Sequence, residues 1–209
     1  TGVSDYGDIL FMPMGVTPSP WNKIYGSAFS HDREKASPGF YSVHLDDEDI
    51  DVNLTATERV GVHHYKFNGA RQQNVILDLF HRDEVIESFV QVEDSVTVTG
   101  MRRSKAWATN QVLYFVAKFS RPFFRSGIWE NDAFTGLDIS RKITGKNIKA
   151  FFSFDSTSQK EIFIQVAISP VSVEGAKRNL QSEAMGLHFD QVKAAAETKW
   201  NAELSKIDV

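Results

Sequence analysis

The stretch "FSHDREKASPGFY" (Phe29–Tyr41) sets His31, Asp32, Arg33, Glu34 and Lys35 side by side and then runs through Ser-Pro-Gly into an aromatic segment. An imidazole three residues from a carboxylate can bind polar ligands or brace an interface. A second polar cluster, "SDYGD" (Ser4–Asp8), also precedes an apolar run. Loops before strands gather at one end of a β-sandwich and build binding sites there, so these two clusters are the candidates for a polar rim. A third group is "MRRSKAWA" (Met101–Ala108), two Arg, one Lys and one Trp. It reads either as a sugar platform, with a ring stacked on Trp107 beside Arg donors, or as a solvated hairpin with Trp107 in the core.

Other chemistry finds less support. Asp47, Asp49, Asp51, Asn53, Thr55 and Glu58 occupy positions 1, 3, 5, 7, 9 and 12 of a 12-residue window, the ligand spacing of a calcium-binding EF-hand. Position 6 is Val52 where that loop needs Gly. Ile50, Val52, Leu54 and Ala56 alternate with the polar residues, so the spacing is that of one solvent face of a strand. The His residues form no zinc motif: adjacent His63 and His64 point to opposite faces of a strand, and His31…Glu34 and His81…Asp83 lack helical i, i+4 spacing. No nucleophile elbow, phosphate loop or dinucleotide fingerprint is present. Glycosidase chemistry needs two facing carboxyl groups, and strand spacing alone does not say which would face each other.

The elements that must position these groups are mostly strands. Asp8–Met12, Phe40–Leu45, Ile50–Ala56, Val60–Phe67, Asn74–Phe80, Gln111–Ser120, Asn147–Phe154 and Glu161–Ser169 are β in pattern. Val85–Glu93 and Ser95–Thr99 form a hairpin, Asn74–Phe80 is apolar enough to be buried on both faces, and Pro13 closes the first strand. After Pro170 the period changes. Ser172 is placed to cap one helix and Asp190 a second, and Phe189, Val192, Ala196, Trp200, Leu204 and Ile207 make one helical stripe. That stripe folds back on the sandwich or meets a partner domain. The expected architecture is a mainly β sandwich over 1–170 with a helical exit over 171–209.

Composition sets bounds. In 209 residues, 42% are hydrophobic and 24% charged, enough for a real core, and the net charge of −4 comes with interspersed signs. No basic patch favours nucleic acid and no apolar run is long enough for a membrane helix. There is no Cys, which excludes disulfides and thiolate metal sites. The sixteen Phe suit sheet cores. The chain opens on Thr1 without Met, as an excised piece would.

Taken in order, "TG…DYGD", "FSHDREKASPGFYSVHL", "LTATERVGVHHYKF", "ILDLFHRDEVIES", "GMRRSKAWA…YFVAKFS" and "ISPVSVEGAKRNL…W" give the chain a resemblance, over nearly its whole length, to the N-terminal β-sandwich domain of glycoside hydrolase family 92. Those enzymes are calcium-dependent, inverting exo-α-mannosidases. The resemblance implies a galactose-mutarotase-like β-supersandwich whose C-terminal helices lead toward an (α/α) barrel absent from this sequence. It also implies that the catalytic acid, the base and the calcium ligands lie on that barrel. None is therefore expected here, and the segment alone is expected to be inactive. The family's upstream strands are missing before Thr1. By the same resemblance, Asp5 and Tyr6 lie near the pocket rim, and His31 and Glu34 line the pocket or brace the domain interface. The implied partner is a mannose-containing glycan, and the implied location is periplasmic or secreted. A stand-alone carbohydrate-binding sandwich and a purely structural docking module are the other readings.

Overall fold

A computed structural model describes residues 7–16, 25–69, 72–136, 142–157 and 159–207. In chain order the strands are β1 (Leu10–Met14), β2 (Glu34–Ser37), β3 (Phe40–Leu45), β4 (Ile50–Ala56), β5 (Val60–Phe67), β6 (Gln73–Asp78) and β7 (Glu84–Val92). They continue as β8 (Thr97–Lys105), β9 (Gln111–Phe119), β10 (Arg125–Glu130), β11 (Ala133–Gly136), β12 (Ile143–Gly145), β13 (Ile148–Phe154) and β14 (Glu161–Ser169). Two helices close the chain, α1 (Val173–Glu183) and α2 (Phe189–Leu204). The strands form a five-stranded sheet, β1-β6-β13-β10-β11, and a nine-stranded sheet, β12-β7-β8-β9-β14-β5-β4-β3-β2. The expected mainly β class with terminal helices is what the chain adopts.

Period-two alternation builds the layers. On β14, Ile162, Ile164 and Val166 join the core between the sheets, while Ala167 turns outward under the helices. On β9, Phe115, Ala117 and Phe119 point in, and Val116 points out. On β13, Ile148, Ala150, Phe152 and Phe154 face the intersheet core, while Phe151 packs with Ile76, Met14 and Trp129 on the far side of the small sheet. Sequestration on both faces explains the near-continuous apolar run of β6, every residue of which is buried.

The core tolerates little change in volume. A Cβ added at Gly100 would sit 2.4 Å from the Phe115 ring and 2.5 Å from the Phe89 carbonyl oxygen. The ring can shift, but the backbone oxygen cannot do so without breaking the β7–β8 pairing. Gly100→Ala is expected to destabilise the fold by about 1–3 kcal/mol, read as a lowered denaturation midpoint. An unchanged midpoint would show that the hairpin absorbs the methyl group.

Several boundaries differ from the sequence expectation. Pro13 lies within β1, opposite Val75, which is tolerated because β1 is an edge strand. The strand begun at Thr97 does not stop at Thr99: Met101–Lys105 continue it as β8. Trp107 is not in the core but 74% exposed beyond the end of β8. The N-cap of α2 is His188 rather than Asp190, and its N–H donates to the Gln191 side chain at 2.8 Å. Asp190 instead occupies the first turn, where the helix dipole favours an acid. Ser172 caps α1 as expected, accepting from the Gly175 N–H at 3.0 Å.

The helical stripe divides. Phe189, Val192 and Ala196 are buried on the sheet, and α2 lies so close to the Pro38–Gly39 turn that a Cβ at Gly39 would meet Ala196 at 3.1 Å. Gly39 itself has φ of 84°, which only Gly adopts freely. Trp200, Leu204 and Ile207 are left half or more exposed.

Candidate functional site

The His31 stretch folds into a two-part device. Residues His31–Arg33 form a short 3-10 turn capped by Ser30, whose hydroxyl accepts from the Asp32 N–H at 3.2 Å. The chain then becomes β2, an edge strand whose exposed, charged residues discourage edge-to-edge pairing with other chains. The turn brings His31 Nδ1 to 2.5 Å from Glu34 Oε2, and the Tyr41 hydroxyl donates to Glu34 Oε1 at 2.6 Å from the neighbouring strand. The Tyr41 hydrogen bond, helped by His31, holds the Glu34 carboxyl below its usual range. Burial, reinforced by Glu34, pushes the Tyr41 phenol up to about 12. Glu34 is therefore a fixed, ionised acceptor. A general acid needs the opposite shift, so this geometry suits holding a ligand or a neighbouring domain rather than proton delivery. Phe29, half exposed, sits edge-on to the His31 ring at 5.5 Å and adds an apolar surface beside the charges.

Of the other expected rim, Asp5 and Tyr6 lie outside the described residues. Gly7 and Asp8, which follow them, are firmly tied down. The Gly7 carbonyl oxygen lies 2.8 Å from His81 Nε2. The Asp8 carboxylate, 1% exposed, pairs with Arg102 and accepts from Ser104 and Gln111. Arg102 is fully buried and also donates to the carbonyls of Leu79 and Arg82. Sequence reasoning missed it. The signal was available: adjacent Arg102 and Arg103 on one strand must face opposite sides, so one of them had to point inward.

The register sets the two clusters apart. Ser104 pairs with Gln111, and β9, β14, β5, β4, β3 and β2 carry that end of the sheet across to Ser37 and Phe40. Glu34 pairs with Val43 at the opposite end. Asp8 and Glu34 thus mark opposite ends of the nine-stranded sheet rather than a shared rim.

The acidic window from Asp47 to Glu58 is a turn, then β4 from Ile50 to Ala56 with Val52 buried on its inner face, then a bend, so it forms no calcium loop. Asp51 is engaged by His44 Nδ1 at 2.7 Å and accepts from the Asn68 amide at 3.0 Å. Among the described residues, no group of three or more His, Asp or Glu side chains could hold a metal. The calcium implied by the resemblance has no fitted ligand set there, and no chemical step is assigned to it on this chain. His63 and His64 do point to opposite faces: His63 contacts Phe11 and Tyr65 between the sheets, and His64 stacks on Phe163 on the helix side. Trp107 caps the far tip of the β8–β9 hairpin, where Arg103 donates to the Asn110 side chain at 2.6 Å.

A cavity of about 620 Å³ lies between the α1–α2 turn and the outer face of the nine-stranded sheet. His64, Lys118, Glu161 and Phe163 line it from the sheet, and His188, Phe189 and Asp190 from the start of α2. The turn above it is pinned by the Gln165 amide, which donates to the Ala184 carbonyl at 2.8 Å.

Residues 1–169 match the family model described as the glycosyl hydrolase family 92 N-terminal domain. Among solved structures, the GH92 α-mannosidase BT3965 from Bacteroides thetaiotaomicron superposes with a TM-score of 0.87 at 30% identity, over 99% of this chain and 30% of that one. A GH92 family glycosyl hydrolase, ccman5, gives 0.87 at 30% identity, over 97% of this chain and 29% of that chain. A GH92 inverting mannosidase, BT2199, also from Bacteroides thetaiotaomicron, gives 0.80 at 25% identity, over 96% of this chain and 26% of that chain. None of the curated proteins compared with the chain matches it. The chain thus spans less than a third of the length of these relatives, and it belongs to glycosyl hydrolase family 92, of which it carries the N-terminal domain fold.

Proposed function

We propose that the chain is the sandwich part of an exo-acting, inverting α-mannosidase that removes terminal α-mannosides from glycans. The observation that carries this reading is the family match over residues 1–169 together with the structural likeness to α-mannosidases. In this reading the sandwich walls the sugar pocket and braces the catalytic barrel. The acid, the base and the calcium ligands come from the barrel, the segment alone is inactive, and the enzyme works in the periplasm or outside the cell. Two features of this chain support that division of labour. Glu34 is held ionised, which suits a wall or a brace and not an acid. Trp200, Leu204 and Ile207 form an apolar continuation of the α2 stripe that the described residues leave half or more exposed.

An inverting enzyme leaves room for a water between its acid and base, about 6.5–9.5 Å apart, and delivers that water to the face opposite the leaving group. The test is to follow terminal α-mannoside hydrolysis by the full-length protein with proton NMR. β-Mannose appearing first is the expected result. α-Mannose appearing first would overturn inversion. Mannoside binding without hydrolysis would move the protein to a carbohydrate-binding module. In the same protein, His31→Ala or Glu34→Ala is expected to raise KM or lower kcat by about 3- to 10-fold, the worth of one hydrogen bond. Unchanged kinetics with unchanged domain packing would remove both residues from the site.

A further inference from the structure

We infer that one end of the sandwich is the seat of the enzyme's following domain, gripped between the tip of the β8–β9 hairpin and the last turns of α2. The strand register fixes which end this is. Ser104 pairs with Gln111, Tyr114 with Ser169 and Val60 with Ala167. The hairpin tip, the residues leading into α1 and the β4–β5 turn therefore lie together at one end of the nine-stranded sheet. α2 runs toward the same end. Its first residue, Phe189, sits 5.7 Å from His64 in mid-sheet, Ala196 lies against the Gly39 turn, and Lys199 pairs with Glu58 of the β4–β5 turn. Residues 200–204 carry the helix about 7 Å past that turn, at 1.5 Å per residue.

This end is unusually apolar. Trp107 on the hairpin tip and Val171 just ahead of α1 are each 74% exposed, and Trp200, Leu204 and Ile207 are 51%, 54% and 75% exposed. The opposite end closes through Asp46, Asp47, Glu48 and Asp49, the composition of a solvated turn. One exposed apolar residue is ordinary, but a set of them rising from separate elements around one end marks an interaction surface, and Trp is enriched among the residues that carry interface energy. A recess of about 260 Å³ beside Trp200, walled by Ala56, Ala195 and Ala196, is open to an apolar side chain of the partner. Both walls are fixed in advance. Arg103 donates to Asn110 across the hairpin at 2.6 Å, and Glu183 of α1 accepts from the Thr57 hydroxyl at 2.5 Å and the Arg59 N–H at 3.0 Å. A surface that needs no ordering loses less entropy on docking. Three strand spacings separate β9 from β4, so the walls stand about 14 Å apart, room for a partner helix about 10–12 Å across. The covalent path names the occupant: α2 delivers the chain to this end, and the chain spans only 30% of BT3965. That a domain follows rests on the family, and that it is catalytic rests on the α-mannosidase reading above. His31 and Glu34 lie toward the other end, so their kinetic test is independent of this one.

The test uses the full-length protein and hydroxyl-radical footprinting, which oxidises exposed aromatic side chains. Oxidation of Trp107 is expected to slow at least about tenfold from the denatured to the native protein, as for a side chain covered in most molecules. Phe124, 71% exposed at the opposite end, should change little. Trp107→p-benzoylphenylalanine then identifies the cover, because irradiation joins that side chain to its neighbour. The expected product links position 107 to a peptide beyond residue 209 of the same chain. A link to residues 1–209, a link between two copies or no link at all would overturn the inference, as would free oxidation of Trp107. Slowed oxidation of Trp200 alone would also overturn it, since chain next to Ile207 in sequence can cover Trp200 without reaching the hairpin. Neither readout needs turnover. α-Mannoside hydrolysis with Trp107 freely oxidised would leave the proposed function standing and this face refuted. A link beyond residue 209 without hydrolysis would do the reverse.

Discussion

Arg102→Met is expected to destabilise the protein by about 3–5 kcal/mol, the cost of leaving a buried charge without its partner. Asp8 would remain 1% exposed with only the Ser104 hydroxyl and the Gln111 amide to stabilise its carboxylate. The Leu79 and Arg82 carbonyls would lose their donors in the same step. The measurement is the denaturant midpoint of the variant against the parent. A loss under about 1 kcal/mol would mean that water enters and solvates Asp8. The double variant Arg102→Met with Asp8→Leu should recover part of the loss, because removing both charges removes the uncompensated one. Because Arg102 joins the approach to β1, the loop after β6 and the β8–β9 hairpin, its loss also frees the segment that follows Asp5 and Tyr6. If those two residues line the substrate pocket, kcat/KM of the full enzyme should fall at temperatures where the variant is still folded.

The alternating segments were legible because each buries one face or both. Ile50–Ala56, Val60–Phe67 and Glu161–Ser169 fall where the sequence pattern places them. Elements whose residues do not alternate were not legible. Glu34–Ser37 reads as a charged loop, yet it is a strand because Phe40–Val43 beside it offers a free edge. Arg125–Glu130 is a strand because β13 and β11 pair with it, and its pattern of Arg, Ser, Gly, Ile, Trp and Glu carries no period of two. Charge inside the core was half visible: alternation turns one of Arg102 and Arg103 inward, but the partner Asp8 lies 94 positions away and spacing does not name it. The site was legible in its parts and not in its arrangement. His31 and Glu34 meet because the 3-10 turn is local, whereas the separation of Asp8 from Glu34 depends on the order of six strands and could not be read from spacing. The cavity at His64 was invisible in the same way, since it exists only where the α1–α2 turn crosses β5 and β14.

Acidification should weaken the fold through His63. Burial lowers its pKa from an ordinary 6.5 to about 4, with the ring set against Phe11 and the Tyr65 hydroxyl 2.7 Å from Nδ1. The folded protein therefore keeps His63 neutral through a range in which the unfolded chain binds a proton. Between about pH 6.5 and 4 the unfolded state holds more protons, so stability rises with pH and is lost as pH falls. From the two pKa values the loss relative to pH 7 is about 2 kcal/mol by pH 5 and about 3 kcal/mol by pH 4. Among the described residues the ring's contacts are Tyr65, which titrates far above this range, and Phe11, which does not titrate. The carboxylates of Glu34, Asp51 and Glu183 are held below their usual values, so their contribution is lost mainly below this window, while His64, whose pKa burial also lowers, adds to the loss within it. His63→Gln keeps a side chain able to hydrogen-bond the Tyr65 hydroxyl and removes the titration. The denaturant midpoint should drop from pH 7 to pH 5 in both proteins, by clearly less in the variant, where only His64 still titrates in this way. Parallel slopes in the two proteins would show that His63, which is half-buried, protonates in the fold without cost.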